Sequence, residues 1–139
     1  MDIYKIIKEI PMFKHCTVKE SKLLAKLSKS LVKFKKGDYI ITQGSKSKIS
    51  SPLYIIVYGS VLIKKRGVLK PLATLNAGST FGEMSFLSKN PRATNVIADE
   101  EVLTIKMNNN FFNSIPNKLK DKIKNYLIEL LIERLNNMN

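Results

Sequence analysis

The chain has 139 residues, enough to bury a core in one domain, and its 44% hydrophobic and 25% charged residues are an ordinary globular balance. One cysteine, Cys16, excludes an internal disulfide and fits a reducing, cytoplasmic setting; the charge-broken N-terminus excludes a signal-peptide core, and the longest apolar run, 53–58, falls far short of the about 20 residues of a membrane helix. The formal net charge of +13 raises nucleic acid, acidic membrane or a small anion as partner. The lysines are scattered through every segment with no aromatic-interleaved basic stripe, so surface composition bias outweighs nucleic-acid binding.

In chain order, Ile3, Ile6, Ile7 and Ile10 have helical spacing, and Pro11 ends that segment. Thr17-Val18-Lys19-Glu20 is a capping-box pattern that starts a second helix, with Leu23, Leu24, Leu27 and Leu31 on its apolar face. His15 and Cys16 lie in the connection, and no second histidine exists to build a metal site with them. From residue 31 the periodicity changes to short β-rich runs at 31–34, 39–42, 53–57, 60–65, 72–75, 94–98 and 102–107, separated by glycine turns. This pattern predicts a mainly β fold, an antiparallel sandwich or barrel. Asn108 caps a short helix through Phe112, and after Pro116-Asn117 a last helix runs over 118–136. Leu119, Ile123, Tyr126, Leu127, Leu130, Leu131 and Leu135 give it a wide apolar face; Lys118, Lys120, Lys122 and Lys124 make its first half basic, and Glu129 and Glu133 follow.

The stretch from Phe81 to Val96 carries the chemistry. Gly82 permits a close backbone approach, and residues 83–87 suffice for about one helical turn, whose free N–H groups can hold an anion. A Pro91 bend leads to Arg92, whose planar guanidinium is suited to gripping a phosphate. Only three of the 24 basic residues are arginine, Arg66, Arg92 and Arg134. An anion between the helix start and Arg92, with Glu83 accepting from hydroxyls beside it, describes a sugar-phosphate site. Standing alone, a Glu after Gly is a solvated helix start and a lone Arg a surface charge; the combination weighs against both.

Phe81-Gly82-Glu83-x-Ser85-Phe86-Leu87 and Pro91-Arg92-Ala93-Thr94-x-Val96 resemble the phosphate-binding cassette of cyclic nucleotide-binding domains, F-G-E-x-A/S-L followed by P-R-A/S-A/T-x-V, with the family's nine-residue step from Glu83 to Arg92. The resemblance extends over residues 6–115, through the Phe34-to-Ile41 turn and strand, the Tyr54-to-Val61 hairpin and the Leu75-to-Glu83 approach. It departs at 44–53, a Ser/Lys-rich segment with Pro52 where the family has a shorter acidic loop, so a longer solvated loop is expected there. The resemblance implies a jelly-roll barrel over 31–107 between N-terminal helices (1–30) and C-terminal helices (108–139), one domain in all.

It also implies roles. Glu83 accepts from the ribose 2′-hydroxyl with help from the Gly82 carbonyl; the N–H groups of Met84 and Ser85 meet the cyclic phosphate; Arg92 pairs with its equatorial oxygens; the Ala93 backbone supports it. Members selective for cyclic GMP often carry Thr directly after the Arg. Here that position is Ala93, and Thr94 points to the opposite side of the strand, so cyclic AMP is preferred to cyclic GMP. The last helix swings onto the nucleotide, with Tyr126, Leu127 or Leu130 capping the base; static packing or pairing with a second subunit in a homodimer is the plainer reading of that face. No metal and no catalytic constellation is expected, so the chain reads as a regulatory receptor, not an enzyme. No residues remain for a helix-turn-helix. With Met1 at the start, this points to a stand-alone domain acting through an unidentified effector protein. Two other readings stay open: the same fold as an interaction module without nucleotide, and a basic nucleic-acid binder.

Overall fold

The computed structural model describes residues 2–46 and 51–137. The chain divides into two compact units, a β-rich one over Leu27–Asn109 and a helical one formed by Met1–Lys26 with Asn110–Asn139.

The β unit has eight strands among the described residues: β1 (Leu31–Phe34), β2 (Tyr39–Ile41), β3 (Leu53–Tyr58), β4 (Val61–Lys64), β5 (Ala73–Leu75), β6 (Thr80–Phe81), β7 (Asn95–Ala98) and β8 (Val102–Met107). They form two antiparallel sheets in the orders β1-β8-β3-β6 and β2-β7-β4-β5. This alternation of strands between two sheets is a jelly roll. Among the described residues no ladder joins the two sheets, so of the expected sandwich or jelly-roll barrel the sandwich form is the one observed. Ile41, Val61, Val96 and Ala98 of one sheet meet Tyr54, Ile56, Phe81 and Val102 of the other in a buried core. β7 shows the inward–outward alternation that this requires, whereas the inner strands β3 and β8 are buried along most of their length.

Two local differences have simple causes. Leu31, expected on a helical face, begins β1 and pairs with Ile105, because the second helix ends at Leu24 and gives way to a 3-10 segment, Ala25–Ser30. The pairing β3–β6 uses two residues of the approach to the cassette, too short a run for any periodicity to mark. Of the Ser/Lys-rich loop, residues 47–50 lie outside the described residues.

In the helical unit, α1 (Ile3–Glu9) is capped by Asp2, whose carboxylate accepts from the Lys5 amide at 3.3 Å. A 3-10 turn, Pro11–Phe13, follows. The predicted capping box of α2 (Val18–Leu24) is formed: Thr17 Oγ1 accepts from the Glu20 amide at 3.1 Å and Glu20 Oε1 from the Thr17 amide at 2.9 Å. Beyond α3 (Glu83–Ser88), which lies between β6 and β7, α4 is Asn109–Ser114 and α5 is Asn117–Asn136. Leu119, Ile123 and Leu127 form the buried stripe of α5, while Leu135, expected on the same face, is exposed about two turns beyond it.

Candidate functional site

The sequence between β6 and β7 folds as its residues dictate. Phe81 ends β6 with its ring stacked on Tyr54, centroids 5.3 Å apart, which anchors the start of the turn in the core. Gly82 then takes a left-handed conformation, φ 82°, and serves as N-cap of α3 (Glu83–Ser88). An αL residue, Lys89, closes the helix with its amide on the Ser85 carbonyl at 2.9 Å. The chain passes Pro91 and pairs with the end of the β2 loop: the Arg92 amide donates to the Ser45 carbonyl at 2.9 Å and the Gly44 amide to the Arg92 carbonyl at 2.8 Å.

This path buries Arg92, which is 8% exposed. Its two terminal nitrogens donate to neutral backbone carbonyls, one to Gly82 at 2.9 Å and the other to Pro52 at 2.5 Å. Burial pulls the guanidinium below its ordinary pKa, and the nearby Tyr54 and Glu83 oppose that shift. Burial likewise pushes the Tyr54 phenol up, against the effect of Arg92. The described hydrogen bonds of this buried cation go to neutral carbonyls, with the Glu83 charge close enough to act on it.

Arg92 lines a cavity of about 360 Å³ together with Ile41, Ser45, Pro52, Tyr54 and Lys106. Of the other residues singled out in the sequence, Gly82 touches Arg92 through its carbonyl, and Glu83 and Ser85 are buried in the first turn of α3. Met84 and Ala93 are exposed, and Thr94 is half-buried. Gly82 is thus fastened to Arg92 and Glu83 lies close enough for its charge to act on it, while Arg92 is the cassette residue among those that line the cavity. The three lid candidates lie on α5 in the helical unit: Leu127 is fully buried, Leu130 is half-buried, and Tyr126 lines a cavity of that unit with Met12, Cys16 and Lys122. Burial pushes the Tyr126 phenol up.

Pro52 was missed by sequence reasoning. Its contribution is a backbone carbonyl in a loop, which no side-chain pattern announces. Tyr54 was read only as part of a strand, although its register opposite Phe81 places it beneath the cassette.

Among the described residues, no group of three or more His, Cys, Asp or Glu is placed to hold a metal ion, and no helix is long and apolar enough to cross a membrane. Burial and the neighbouring Glu20 push the Cys16 thiol up against the influence of Lys122, which is the opposite of an activated nucleophile.

A jelly-roll sandwich that opens between two strands into one short helix, with a buried arginine fastened to the residue before that helix, is the frame of a small-anion receptor. Residues 31–118, more than half of the chain, match the cyclic nucleotide-binding domain, and the chain belongs to that family. Over 93 residues it is 37% identical to the cGMP-dependent protein kinase of Plasmodium berghei (strain Anka), covering 67% of this chain and 10% of the kinase. The chain therefore spans only a small part of that relative. A regulatory subunit of a cAMP-independent protein kinase A from Trypanosoma brucei matches 91% of this chain and 43% of its own, with a TM-score of 0.73 and 26% identity. A cyclic nucleotide-binding domain from Methylobacillus flagellatus has the same fold, with a TM-score of 0.80 over 98% of this chain and 78% of its own at 21% identity.

Proposed function

We propose that this protein is a cyclic nucleotide receptor that binds cyclic AMP in preference to cyclic GMP and passes the signal on through a change in the position of α5. The observation that carries this reading is Arg92, a buried guanidinium held by the Gly82 and Pro52 carbonyls at the wall of a cavity of small-ligand size. A cyclic phosphate carries one negative charge, and in a partly buried site it needs a paired cation.

In this reading Arg92 meets the equatorial phosphate oxygens, and the first amides of α3, at Met84 and Ser85, point toward the same group. Glu83 accepts from the ribose 2′-hydroxyl, beside the Gly82 carbonyl. The Ala93 backbone supports the phosphate just ahead of β7. Ala93 brings no hydroxyl to the base, which favours adenine; Thr94 lies in a bend before β7, so the strand alternation expected for it does not apply. Ligand acts by favouring one position of α5 over another, with Tyr126, Leu127 or Leu130 as the cap. Leu127, fully buried, would have to leave packed surroundings to do so. The protein is regulatory and not catalytic, works in the cytoplasm, and hands its signal to an effector protein or to a second copy paired through α5.

The identity shared with the Plasmodium berghei kinase favours a second reading, in which cyclic GMP is the ligand. Isothermal titration with each nucleotide, with Arg92→Ala as control, tests both. Binding that is lost in the variant supports the receptor, and the ratio of affinities identifies the base. No heat and no thermal shift with either nucleotide would rule out both readings and leave a protein-interaction module.

A further inference from the structure

The hairpin between β4 and β5 ends in Lys65-Arg66-Gly67-Val68-Leu69-Lys70-Pro71-Leu72. Three large aliphatic side chains stand in water there: Leu69 is 98% exposed, Leu72 52% and Val68 45%. Single exposed aliphatics are ordinary, but three at one tip form a patch that calls for a cover.

The tip is built by the fold. The Leu72 amide donates to the Ile63 carbonyl at 2.7 Å and the Val68 amide to the Lys65 carbonyl at 3.1 Å. Arg66 braces the hairpin against the loop after β2, donating from its amide to Gln43 Oε1 at 2.8 Å and from its guanidinium to the Gln43 carbonyl at 2.6 Å. Around the aliphatic tip stand the exposed cations Lys65, Arg66 and Lys70, with Lys64 half-buried behind them. No acidic residue occurs anywhere between Asp38 and Glu83, and the ladder partners of β4 near the tip are Asn95, Val96 and Ala73, so neither the hairpin nor its paired neighbours offset that charge.

We propose that this hairpin anchors the protein to an anionic lipid surface. Val68, Leu69 and Leu72 enter the boundary between headgroups and acyl chains, while Lys65, Arg66 and Lys70 meet the headgroup phosphates. Charge complementarity selects this occupant. A convex apolar tip with a cationic collar matches a deformable apolar layer under an anionic surface, and that is the arrangement a bilayer offers. The proposal is independent of nucleotide binding, since the hairpin shares no residue with the cassette.

The test is co-sedimentation with vesicles of phosphatidylcholine alone and of phosphatidylcholine with phosphatidylserine, at near-physiological salt. The protein should pellet with the second and stay in solution with the first. Val68→Ser with Leu69→Ser removes the wedge and keeps every charge; Lys65→Glu with Lys70→Glu reverses the collar and keeps the wedge. Each pair should weaken partition on the order of tenfold or more. The chain has no tryptophan, so Leu69→Trp supplies a single reporter whose emission should move to the blue when anionic vesicles are added. Pelleting that the serine pair leaves unchanged would mean that diffuse charge alone binds, and would overturn the anchor. Failure of the folded wild type to pellet would also overturn it. So would a self-association in solution that the serine pair abolishes while lipid has no effect.

Discussion

One guanidinium nitrogen of Arg92 donates to the Gly82 carbonyl at 2.9 Å, so the arginine is fastened to the residue that turns the chain into α3. The other nitrogen reaches the Pro52 carbonyl. One side chain therefore ties together the cassette helix, the start of β7 and the segment that leads into β3. The positive charge is positioned before any ligand arrives, which removes an ordering cost from binding.

Replacing Arg92 tests both consequences. Arg92→Ala should weaken nucleotide binding by roughly tenfold to several hundredfold, because a charge-assisted hydrogen bond contributes about 1.5–3 kcal/mol. Arg92→Lys keeps the charge but cannot hold two carbonyls in a planar fork, so it should recover only part of the loss. Arg92→Ala leaves both the Gly82 and Pro52 carbonyls without that donor and Arg92→Lys leaves at least one, so both should lower stability, the alanine by about 1–3 kcal/mol and the lysine by less. Titration calorimetry and thermal denaturation read the two effects separately. Full affinity in Arg92→Ala would remove the arginine from the site.

Gly82→Ala should be costly for two reasons that a control can separate. The left-handed backbone, φ 82°, costs an L-residue about 1–2 kcal/mol. A Cβ there would also lie 2.9 Å from the Arg92 guanidinium, 3.1 Å from Ile41 Cδ1 and 3.2 Å from the Pro52 carbonyl oxygen. Gly37 has a similar φ, 91°, and nothing within 4 Å of the same position. Gly37→Ala should therefore show the backbone cost alone. Gly82→Ala should exceed it in thermal denaturation and should also weaken the ligand by displacing Arg92. Equal destabilisation by the two substitutions would mean that the contact with Arg92 carries no cost.

The cassette could be read because its parts are local: a glycine before a carboxylate, a short helical turn, and an arginine after a proline. The strands could be read from short β-rich runs set off by glycine turns, and the Thr17–Glu20 box from spacing alone. What could not be read is long-range or carried by the backbone. The Pro52 carbonyl that holds Arg92 has no side-chain signature, and β6 is too short to show a period. The division of strands between two sheets depends on which strands pair, and Leu31 could serve a helix or a strand until the pairing with Ile105 decided it. The wide apolar face expected of α5 narrows to the stripe that is buried, which leaves Leu135 outside.

Ala93→Thr tests base selection. Ala93 is exposed at the residue that follows Arg92, and in the proposed reading a hydroxyl added there would meet the base edge. The wild type should bind cyclic AMP more tightly than cyclic GMP. The variant should improve cyclic GMP by roughly tenfold, the worth of one hydrogen bond, and leave cyclic AMP little changed. Parallel titrations of both nucleotides give the ratio. A ratio that does not move would exclude residue 93 from base selection.

The helical unit carries its own titratable clasp. Lys122 Nζ lies 2.6 Å from Glu20 Oε1 and donates to the His15 carbonyl at 3.1 Å, while the same carboxylate oxygen caps α2 by accepting from the Thr17 amide. Burial pushes the Glu20 carboxyl up, but the hydrogen bonds from Lys122 and Thr17 and the charge of Lys122 outweigh it and hold the group below its ordinary range. A carboxyl that is more acidic in the folded than in the unfolded chain adds stability above its unfolded pKa, and that stability fades as pH falls through the folded pKa. Glu20→Gln keeps an oxygen for the Thr17 amide and removes the charge. It should cost about 1 kcal/mol at neutral pH, the scale of a partly exposed ion pair. The gap in melting temperature between wild type and Glu20→Gln should then close as the pH drops below the ordinary carboxylate range. Lys122→Met should behave in the same way, and combining the two should cost less than their sum, because each already breaks the same pair. A gap that persists unchanged into acid would show that the Glu20 charge contributes nothing and that the loss comes from the geometry of the cap.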